Sequence, residues 1–485
     1  MKKISIYIGF CAVLFSSASC KKFLDKNPDN RAALTNPKQV SQLLATAYPQ
    51  GNYMAFCESS SDNVADKGVG AQDRTLLDPF YFRDVSDKDQ DSPENYFFAC
   101  YSAIAAANQA LDHISKVEDP ENYQAQKGEA LVARAYSHFM LVTLFSKIYH
   151  PDSASKDMGI PYVTEPETVV MKQYDRKTVA YVYEMIEKDL LAGMPLLDDK
   201  NYDVPRYHFN RAAANAFACR FYLYKRDWEK AISYANQVFA SGNIVSVLRP
   251  WNTTYRTMTY VELFAEYAKA TQPANLLLVE TASWWGRNYY SQRYGVTTRT
   301  RDEILQSNPT GGNYAFNFQS YTAGTNNVLL PKINEYFVRN SINAQIGVGY
   351  VMVPLFTTEE VLFNRAEAYI QQGLVANALD DLNIYASTRI VDYNATTHRL
   401  TNSKLQSYYG TGNTQINALL ALLDLKRAEY LHEGMRWFDI LRWHIPVTHE
   451  NMDREVLAHL SEYDPRRVFQ LPESVTTSGM PLNKR

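Results

Sequence analysis

The sequence predicts a mainly α-helical protein in which helix pairs alternate with long irregular segments. Along residues 93–114, apolar side chains recur every three or four positions, which is the spacing of one face of an α-helix. Two later stretches, 211–242 and 357–387, share one plan: a helix rich in small residues, a short break and a second helix. Residues 51–92 and 243–356 show little of this periodicity and are rich in Gly, Asn, Ser, Thr and Tyr, which is typical of irregular connections.

The amino-terminal residues predict an exported, lipid-anchored chain. Lys2 and Lys3 precede an apolar run over residues 4–15, and small residues then lead to Cys20. The run is shorter than the ~20 residues that a transmembrane helix needs, and the order matches a secretory signal peptide. Its end resembles the lipobox of bacterial lipoproteins, so residues 1–19 are predicted to be removed and Cys20 to carry lipid. An ordinary cleaved signal peptide is the alternative.

Composition and motifs narrow the classes of function. With 49 basic and 52 acidic residues, nothing in the net charge requires a nucleic acid as partner. Cys57, Cys100 and Cys219 are widely spaced and form no C-x-x-C pair, so we predict buried, apolar cysteines with room for one disulfide. The sequence has no Walker loop, H-E-x-x-H, G-x-S-x-G or EF-hand pattern, and we predict no cofactor and no metal site. A glycosidase stays open, because its two acids carry no local signature.

The helices can be placed in order along the chain. Asn36 and Pro37 predict an N-cap and the first residue of a helix. Three long amphipathic runs follow, over residues 93–114, 128–149 and 178–197. Thr357 and Glu360 predict a capping box at the start of the second hairpin, and Gly373 predicts its break. Helical hairpins of ~30 residues with Ala at the contact points are typical of tetratricopeptide-like units, which bury their apolar faces by stacking. Two unrelated helix pairs in a bundle are the alternative.

Residues 427–443, RAEYLHEGMRWFDILRW, have the density of functional groups of an active site. We predict instead one scaffold helix with this buried stripe: Ala428, Leu431, Met435, Phe438 and Leu441. Beside the stripe, charges alternate in sign at steps of three: Glu433, Arg436, Asp439 and Arg442. Side chains three apart are neighbours on a helix, and a basic neighbour lowers the pKa of a carboxylate and makes it a poor general acid. His432 has no catalytic partner at a useful spacing and is predicted to be structural.

The order of these features resembles that of the SusD/RagB outer-membrane lipoproteins. The stretches that carry the resemblance are CKKFLDKNP from Cys20, KGEALVARAYSHFMLVTLFSKIY, EVLFNRAEAYIQQGLVANALDDLN, RAEYLHEGMRWFDILRW and the final FQLPES. The resemblance covers nearly the whole chain. It implies one SusD-like domain over residues 20–485, with four tetratricopeptide-like helix pairs and a binding face built from loops. The scaffold is expected mainly over residues 36–50, 93–242 and 357–443.

The resemblance also implies a function and partners. Proteins of this family are non-catalytic, surface-exposed lipoproteins of the outer membrane that capture oligosaccharides and deliver them to a SusC-like TonB-dependent transporter. RagB-type members handle peptides instead, which is the first alternative. An exported glycoside hydrolase on a helical frame is a further alternative, and release of new reducing ends from a glycan would identify it.

Aromatic side chains in the irregular segments are the predicted ligand contacts. Oligosaccharides present C–H-rich faces that stack on aromatic rings, and hydroxyl edges that bond to polar side chains. The predicted ligand residues are Trp284, Trp285, Tyr289, Tyr290 and Arg293 in the second irregular segment, and Asp62, Arg74 and Tyr81 in the first. A packed loop core, or contact with the transporter, is the alternative for the second segment. Solvated turn residues are the alternative for the first.

Overall fold

The computed structural model describes residues 34–167, 169, 172–324 and 326–485. The predicted signal peptide and Cys20 therefore lie outside the described residues. Within these ranges α-helices supply most of the ordered structure and the strands are few and mostly short, so the prediction of a mainly α fold is confirmed. None of the described helices is both long enough and apolar enough to cross a membrane.

Eight of the described helices build the amino-terminal part of the frame. They are α1 (Pro37–Leu44), α2 (Met54–Ser60), α3 (Arg74–Phe80), α4 (Pro93–Ile114), α5 (Gln124–Phe145), α6 (Val179–Gly193), α7 (Arg211–Lys225) and α8 (Trp228–Val238). The predicted start of α1 is correct, because the Asn36 side chain accepts a hydrogen bond from the Gln39 amide at 3.1 Å. Helix α5 is buried along nearly its whole length and packs between α4 and α6. It forms the centre of this part of the core.

The remaining helices complete the stack. They are α9 (Tyr260–Tyr267), α10 (Trp285–Asn288), α11 (Thr298–Leu305), α12 (Thr358–Gln371), α13 (Val375–Ser387), α14 (Asn402–Tyr409), α15 (Thr414–Glu429) and α16 (Met435–Arg442). Helices α7 and α8 form the first predicted hairpin, α12 and α13 form the second, and α8 packs against α12. Gly373 breaks the second hairpin with a φ of 76°. The capping box is only half formed, because Thr357 accepts the Glu360 amide while the Glu360 carboxylate binds Arg220 instead.

Strands that were not predicted from the sequence lie in both irregular segments and in a carboxyl-terminal hairpin. The strands are β1 (Ala65–Asp66), β2 (Asn275–Ala282), β3 (Tyr294–Gly295), β4 (Tyr321–Ala323), β5 (Asn327–Leu329), β6 (Glu335–Arg339), β7 (Gly347–Thr357), β8 (Val447–Glu450) and β9 (Val456–Leu460). Strands β2, β7 and β6 form an antiparallel sheet in that order. Every second residue of β7 from Gly349 to Leu355 is buried. In the sequence both faces are apolar, so the available signal for a strand was the short apolar run GVGYVMVPLF with its β-branched residues.

The predicted single helix over residues 427–443 is wrong. Helix α15 ends at Glu429, a turn follows, and α16 begins after Gly434, whose φ is 71°. His432 in the turn also has a positive φ, of 73°. The break reorients the charged side chains, and most of the predicted ladder is replaced by distant partners: Glu433 binds Lys332, Arg436 binds Asp62, Asp439 binds Lys426 and Arg442 binds Glu367. Only Asp439 and Arg442 remain near each other, at 3.7 Å.

A buried charge network fixes the second hairpin to its neighbours. The Arg389 guanidinium donates to Glu359 at 2.9 Å and to Glu429 at 2.8 and 3.0 Å. Arg249 donates to the other Glu359 oxygen at 2.8 Å. All four side chains are fully buried. The network therefore joins α12, α15 and the segment before α9 into one unit.

The three described cysteines, Cys57, Cys100 and Cys219, are buried, as predicted. All three are free, so the disulfide that the sequence allowed is not formed among them.

Candidate functional site

The two irregular segments that carry the predicted ligand residues meet in space. Strand β1 pairs with β3, the Lys67 amide donates to the Arg293 carbonyl at 3.0 Å, and the Arg293 amide donates to the Ala71 carbonyl at 3.1 Å. We call residues 62–74 and 284–295 together the loop junction. More than two hundred positions of sequence separate its halves, so only the tertiary fold brings them together.

An ion pair and a buried lysine hold the loop junction together. Arg293 donates to both oxygens of Asp66, at 2.6 and 2.8 Å. Burial raises the pKa of Asp66, but the hydrogen bonds from the Arg293 guanidinium and the Gly68 amide, together with the charge of Arg293, outweigh it and lower the pKa overall. Lys67 donates to the Tyr290 carbonyl at 2.8 Å and to Asn327 at 3.1 Å, and burial lowers the pKa of its ammonium group to about 8. Arg293 was predicted to contact a ligand, but its guanidinium binds Asp66 instead.

Trp285 and Tyr289 lie inside the protein, which removes them from the predicted ligand contacts. The Trp285 side chain is 1% exposed, and its indole N–H donates to the His432 carbonyl at 3.0 Å. The buried Tyr289 hydroxyl donates to the Leu330 carbonyl at 2.9 Å, and its ring lies 4.7 Å from the imidazole of His432. Both rings anchor the loop junction to the frame, and His432 is structural.

Trp284 and Tyr290 are half-buried at the surface of the loop junction. Trp284 is oriented by Asp91, whose carboxylate accepts the Trp284 amide at 2.9 Å and the Ser283 hydroxyl at 2.6 Å. The exposed Arg287 pairs with Glu335 at 2.5 Å. Trp284 and Tyr290 therefore remain predicted ligand contacts.

The predicted residues of the first segment have different roles. Asp62 accepts two hydrogen bonds from Arg436, at 2.8 and 2.9 Å. Burial raises the pKa of Asp62, but Arg436 and Arg427 outweigh it and hold that pKa well below its usual range. Asp62 thus ties the loop to α16 instead of facing a ligand.

Arg74 and Tyr81 remain accessible. Arg74 is exposed and donates to the Ser86 hydroxyl at 3.1 Å. Tyr81 is half-buried, packs edge-on against Tyr294 with ring centroids 6.0 Å apart, and lies under the Arg83 guanidinium, 4.6 Å from the ring centroid. The Tyr81 ring positions a guanidinium, which leaves less of its face for a sugar.

A group of exposed aromatic rings was not predicted from the sequence. Tyr260 is 51% exposed, Phe318 57% and Tyr321 37%. The Tyr260 ring centroid lies 6.2 Å from that of Tyr321 and 6.3 Å from that of the half-buried Phe264, and Arg256 lies over Phe318 at 5.9 Å. We call Tyr260, Phe264, Phe318 and Tyr321 the aromatic patch. Aromatic residues at i and i+4 of a short helix, Tyr260 and Phe264 in α9, were the available signal.

A hairpin connects the aromatic patch to the loop junction. Tyr321 lies at the outer end of the β4–β5 pair, and Asn327 lies near its turn, where it accepts a hydrogen bond from Lys67 at 3.1 Å. Along the same hairpin, the Arg301 guanidinium donates to the Thr322 hydroxyl at 3.3 Å. The patch and the junction are therefore neighbouring parts of one irregular surface.

The carboxylates with strongly raised pKa values are sealed inside the protein. Burial raises the pKa of both Glu58 and Asp91 to about 7. Glu58 accepts the His432 and Gly434 amides, each at 3.0 Å, and neither carboxylate is accessible to a substrate. A glycosidase needs two carboxyl groups ~5–10 Å apart across an open cleft. Among the described residues, no group of three or more His, Cys, Asp or Glu side chains could hold a metal ion.

Sequence comparison gives a partial match to a known family. Residues 22–223 match the SusD-like family described as starch-binding and associating with the outer membrane. A curated relative, SusD-like protein P2 of Formosa agariphila, is 30% identical over 139 residues. That stretch covers 28% of this chain and 25% of the relative.

Solved structures share the fold over nearly the whole chain. A SusD superfamily protein from Bacteroides thetaiotaomicron matches with a TM-score of 0.70 at 18% identity, covering 93% of this chain and 100% of the other. A putative sugar binding protein from Bacteroides vulgatus matches at 0.71 and 20% identity, covering 93% and 99%. A laminarin-binding SusD-like protein matches at 0.64 and 16% identity, covering 93% and 99%. At these identities the likeness establishes the fold alone.

Proposed function

We propose that this chain is a non-catalytic glycan-binding protein, from its similarity to SusD-like proteins over residues 22–223 in sequence and over nearly the whole chain in fold. The aromatic patch carries the proposal. Most aromatic rings of the described residues are buried, whereas Tyr260 and Tyr321 are exposed with ring centroids 6.2 Å apart, and the exposed Phe318 precedes Tyr321 by three positions. Exposing such rings to water is unfavourable, and rings of this kind bind the C–H faces of sugars.

The polar groups of the loop junction complete the proposed site. Arg74 supplies exposed N–H donors, and Trp284 and Tyr290 supply half-buried rings. The ion pair between Asp66 and Arg293, with Lys67 behind it, holds the backbone of both segments in place. A preorganised surface loses little conformational entropy on binding. An oligosaccharide would thus stack on the aromatic patch and bond at its edges to the loop junction.

The proposal extends to the cellular setting implied by the family. Residues 20–485 would form one SusD-like domain, anchored to the outer membrane by lipid on Cys20 and exposed at the cell surface. The bound glycan would pass to a SusC-like TonB-dependent transporter. The absence of a catalytic role is supported by the burial of Glu58 and Asp91 and by the ion pairs that join Glu335 to Arg287 and Asp66 to Arg293.

Replacement of two exposed rings tests the proposal. Tyr260→Ala and Tyr321→Ala should each weaken binding of a glycan by roughly fivefold, because a stacked ring contributes ~1 kcal/mol. The mature chain with Cys20→Ala, which cannot be lipidated, is titrated by calorimetry with starch, laminarin and other glycan fractions. Tyr181→Ala, at an exposed Tyr on α6, is the matched control and should bind as tightly as the unsubstituted chain.

Three outcomes would contradict the proposal. Unchanged affinity in both patch variants would exclude the aromatic patch from the site. Binding of a peptide pool without binding of any glycan would favour the RagB-like alternative. New reducing ends after incubation with a bound glycan would favour a hydrolase.

A further inference from the structure

A pocket with an apolar floor and a charged rim is joined to the loop junction by the hydrogen bond from Arg74 to Ser86. Its volume is about 360 Å³, and residues 82–88 form one wall while the carboxyl-terminal residues 466–485 form the other. Phe82, Phe469 and Leu471 are buried along its floor. We call it the carboxyl-terminal pocket. Small-molecule sites span roughly 300–1,000 Å³, so this pocket suits a substituted sugar ring better than a long chain.

Most cations at the pocket are neutralised by a carboxylate. Arg485 pairs with Asp84 at 2.6 Å, and Lys88 pairs with Glu94 at 3.4 Å. Arg466 pairs with Asp464 at 2.6 Å. These pairs close the rim and leave little positive charge for a ligand.

Arg83 and Arg74 are the exceptions. Within the described part of the chain, neither guanidinium forms an ion pair with a carboxylate. Arg83 lines the pocket and contacts only the Tyr81 ring, at 4.6 Å, while Arg74 donates only to the hydroxyl of Ser86, which lines the same pocket. Both arginines are exposed. The Tyr81 ring restricts Arg83, so the guanidinium is already oriented before a ligand arrives.

Two unpaired guanidinium groups beside one pocket are suited to an anion. Arginine offers a planar fork of N–H donors that matches the oxygens of a carboxylate or a sulfate. Glu473 also lines the pocket and forms no ion pair within the described residues. It belongs to the carboxyl-terminal wall, so an anionic group would be held at the other wall, near Arg74 and Arg83.

We propose that the bound glycan is acidic, and that its carboxylate or sulfate ester is held by Arg74 and Arg83 at the mouth of the carboxyl-terminal pocket. The inference rests on the proposed glycan-binding function and adds the chemical class of the ligand. The apolar floor contacts the C–H face of the substituted sugar ring.

Paired variants with equal changes of charge test the inference. Three groups of glycans are titrated into the mature chain with Cys20→Ala: neutral (starch, laminarin, dextran), uronate-containing (alginate, polygalacturonate) and sulfated (carrageenan, dextran sulfate). At least one acidic glycan should bind more tightly than the neutral ones. Arg74→Gln with Arg83→Gln should weaken that binding by about tenfold or more, since two charge-assisted hydrogen-bonding groups are lost. Comparison of the uronate-containing glycans with the sulfated glycans shows whether the bound anionic group is a carboxylate or a sulfate ester.

The control removes two exposed arginines elsewhere that also lack a carboxylate partner among the described residues. Arg226→Gln with Arg339→Gln changes the net charge equally and should alter the affinity by less than about twofold. Equal losses in the two double variants would indicate unspecific charge attraction and overturn the inference. A neutral glycan that binds best, with no loss in the Arg74 and Arg83 variant, would overturn the inference and leave the proposed function standing. Binding of no glycan at all would overturn both.

Discussion

Exposed arginines without a carboxylate partner differ in role from arginines that are paired with a carboxylate. Arg293, Arg436 and Arg389 each donate to a carboxylate with both sides of the guanidinium fork or with several N–H groups. Such charge-assisted pairs fix the relative positions of two chain segments. Arg74 and Arg83 have no carboxylate partner among the described residues and are exposed. They are available to a ligand, whereas the paired arginines are structural.

Asp91 should make the stability of the protein depend on pH. Burial raises its pKa from the ordinary value to about 7, so the native state binds the proton more tightly than the unfolded chain. The stabilisation is complete below the unfolded pKa, near 4, and is lost as the pH rises through about 7. Asp91→Asn keeps one acceptor for the Trp284 amide and cannot ionise. Relative to the unsubstituted protein, the variant should gain unfolding free energy between pH 4 and 8, by at most about 1.4 kcal/mol for each pH unit.

Urea unfolding at several pH values measures this difference. Asp203→Asn makes the same substitution at an exposed position and controls for the loss of one surface charge. Parallel stability curves for the Asp91 variant and the unsubstituted protein would show that Asp91 does not titrate in this range.

The aromatic residues show where residue-scale reasoning succeeds and where it fails. Composition and spacing single out residues 284–294 as rich in rings, and the structure places Trp284 and Tyr290 at the surface. Trp285 and Tyr289 are buried because one turn of helix directs them towards the turn at His432. A one-residue difference in position along such a turn changes which side of it a ring occupies. Without periodicity to predict that turn, the sequence does not distinguish the two pairs.

At the scale of elements, the helix hairpins follow from the sequence and the turn before α16 does not. The apolar spacing of α7, α8, α12 and α13 is regular, so their existence and their breaks are predictable. Residues 427–443 keep helical spacing across a turn, because Met435, Phe438 and Leu441 belong to α16 while Ala428 belongs to α15. The turn is stabilised by Glu58, which accepts two of its amides. That contact is tertiary and leaves no local pattern.

Gly434 should be among the least replaceable glycines of this protein. Its φ is 71°, and a Cβ atom there would lie 2.9 Å from both the Cα and the carbonyl oxygen of Met54. Gly434→Ala should therefore destabilise the protein in two ways: the positive φ strains the backbone, and the new Cβ atom of residue 434 clashes with Met54 of α2. Gly373 has a φ of 76° and open space where its Cβ would be. Gly373→Ala should cost about 1 kcal/mol of unfolding free energy from strain alone, and Gly434→Ala about 1–3 kcal/mol more. Chemical unfolding measures the free energy of unfolding of both variants. Equal losses in Gly434→Ala and Gly373→Ala would mean that α2 shifts readily to make room for the new Cβ atom.

At the scale of the whole molecule, a frame stabilised by buried charges supports a surface made of irregular chain. The network of Arg389, Glu359, Arg249 and Glu429 lies within the frame and joins helices from distant parts of the sequence. The loop junction and the aromatic patch are attached to the frame through buried anchors such as Trp285. A rigid frame holds the loops between its helices and strands in defined positions.

Arg389 should be one of the most important side chains for global stability. Arg389→Met leaves Glu359 and Glu429 in a low-dielectric interior with fewer partners, and the unfolding free energy should fall by about 3–5 kcal/mol. Arg399→Met removes an exposed arginine that pairs with Asp380 at 2.7 Å, and it should cost at most about 1 kcal/mol. Thermal and urea unfolding of the two variants measure the contrast. A similar small loss in both would show that the network contributes little.

The sequence by itself determined the fold class, the positions of the helix hairpins, the burial of the cysteines and the two segments in which a binding surface should lie. These properties depend on local periodicity and on residue size, which a linear pattern records directly. The tertiary structure alone decided which rings are exposed, which arginines are left without a carboxylate and how residues 62–74 meet residues 284–295. These properties depend on contacts between residues hundreds of positions apart, and a buried side chain differs from an exposed one through the neighbours that the fold brings to it.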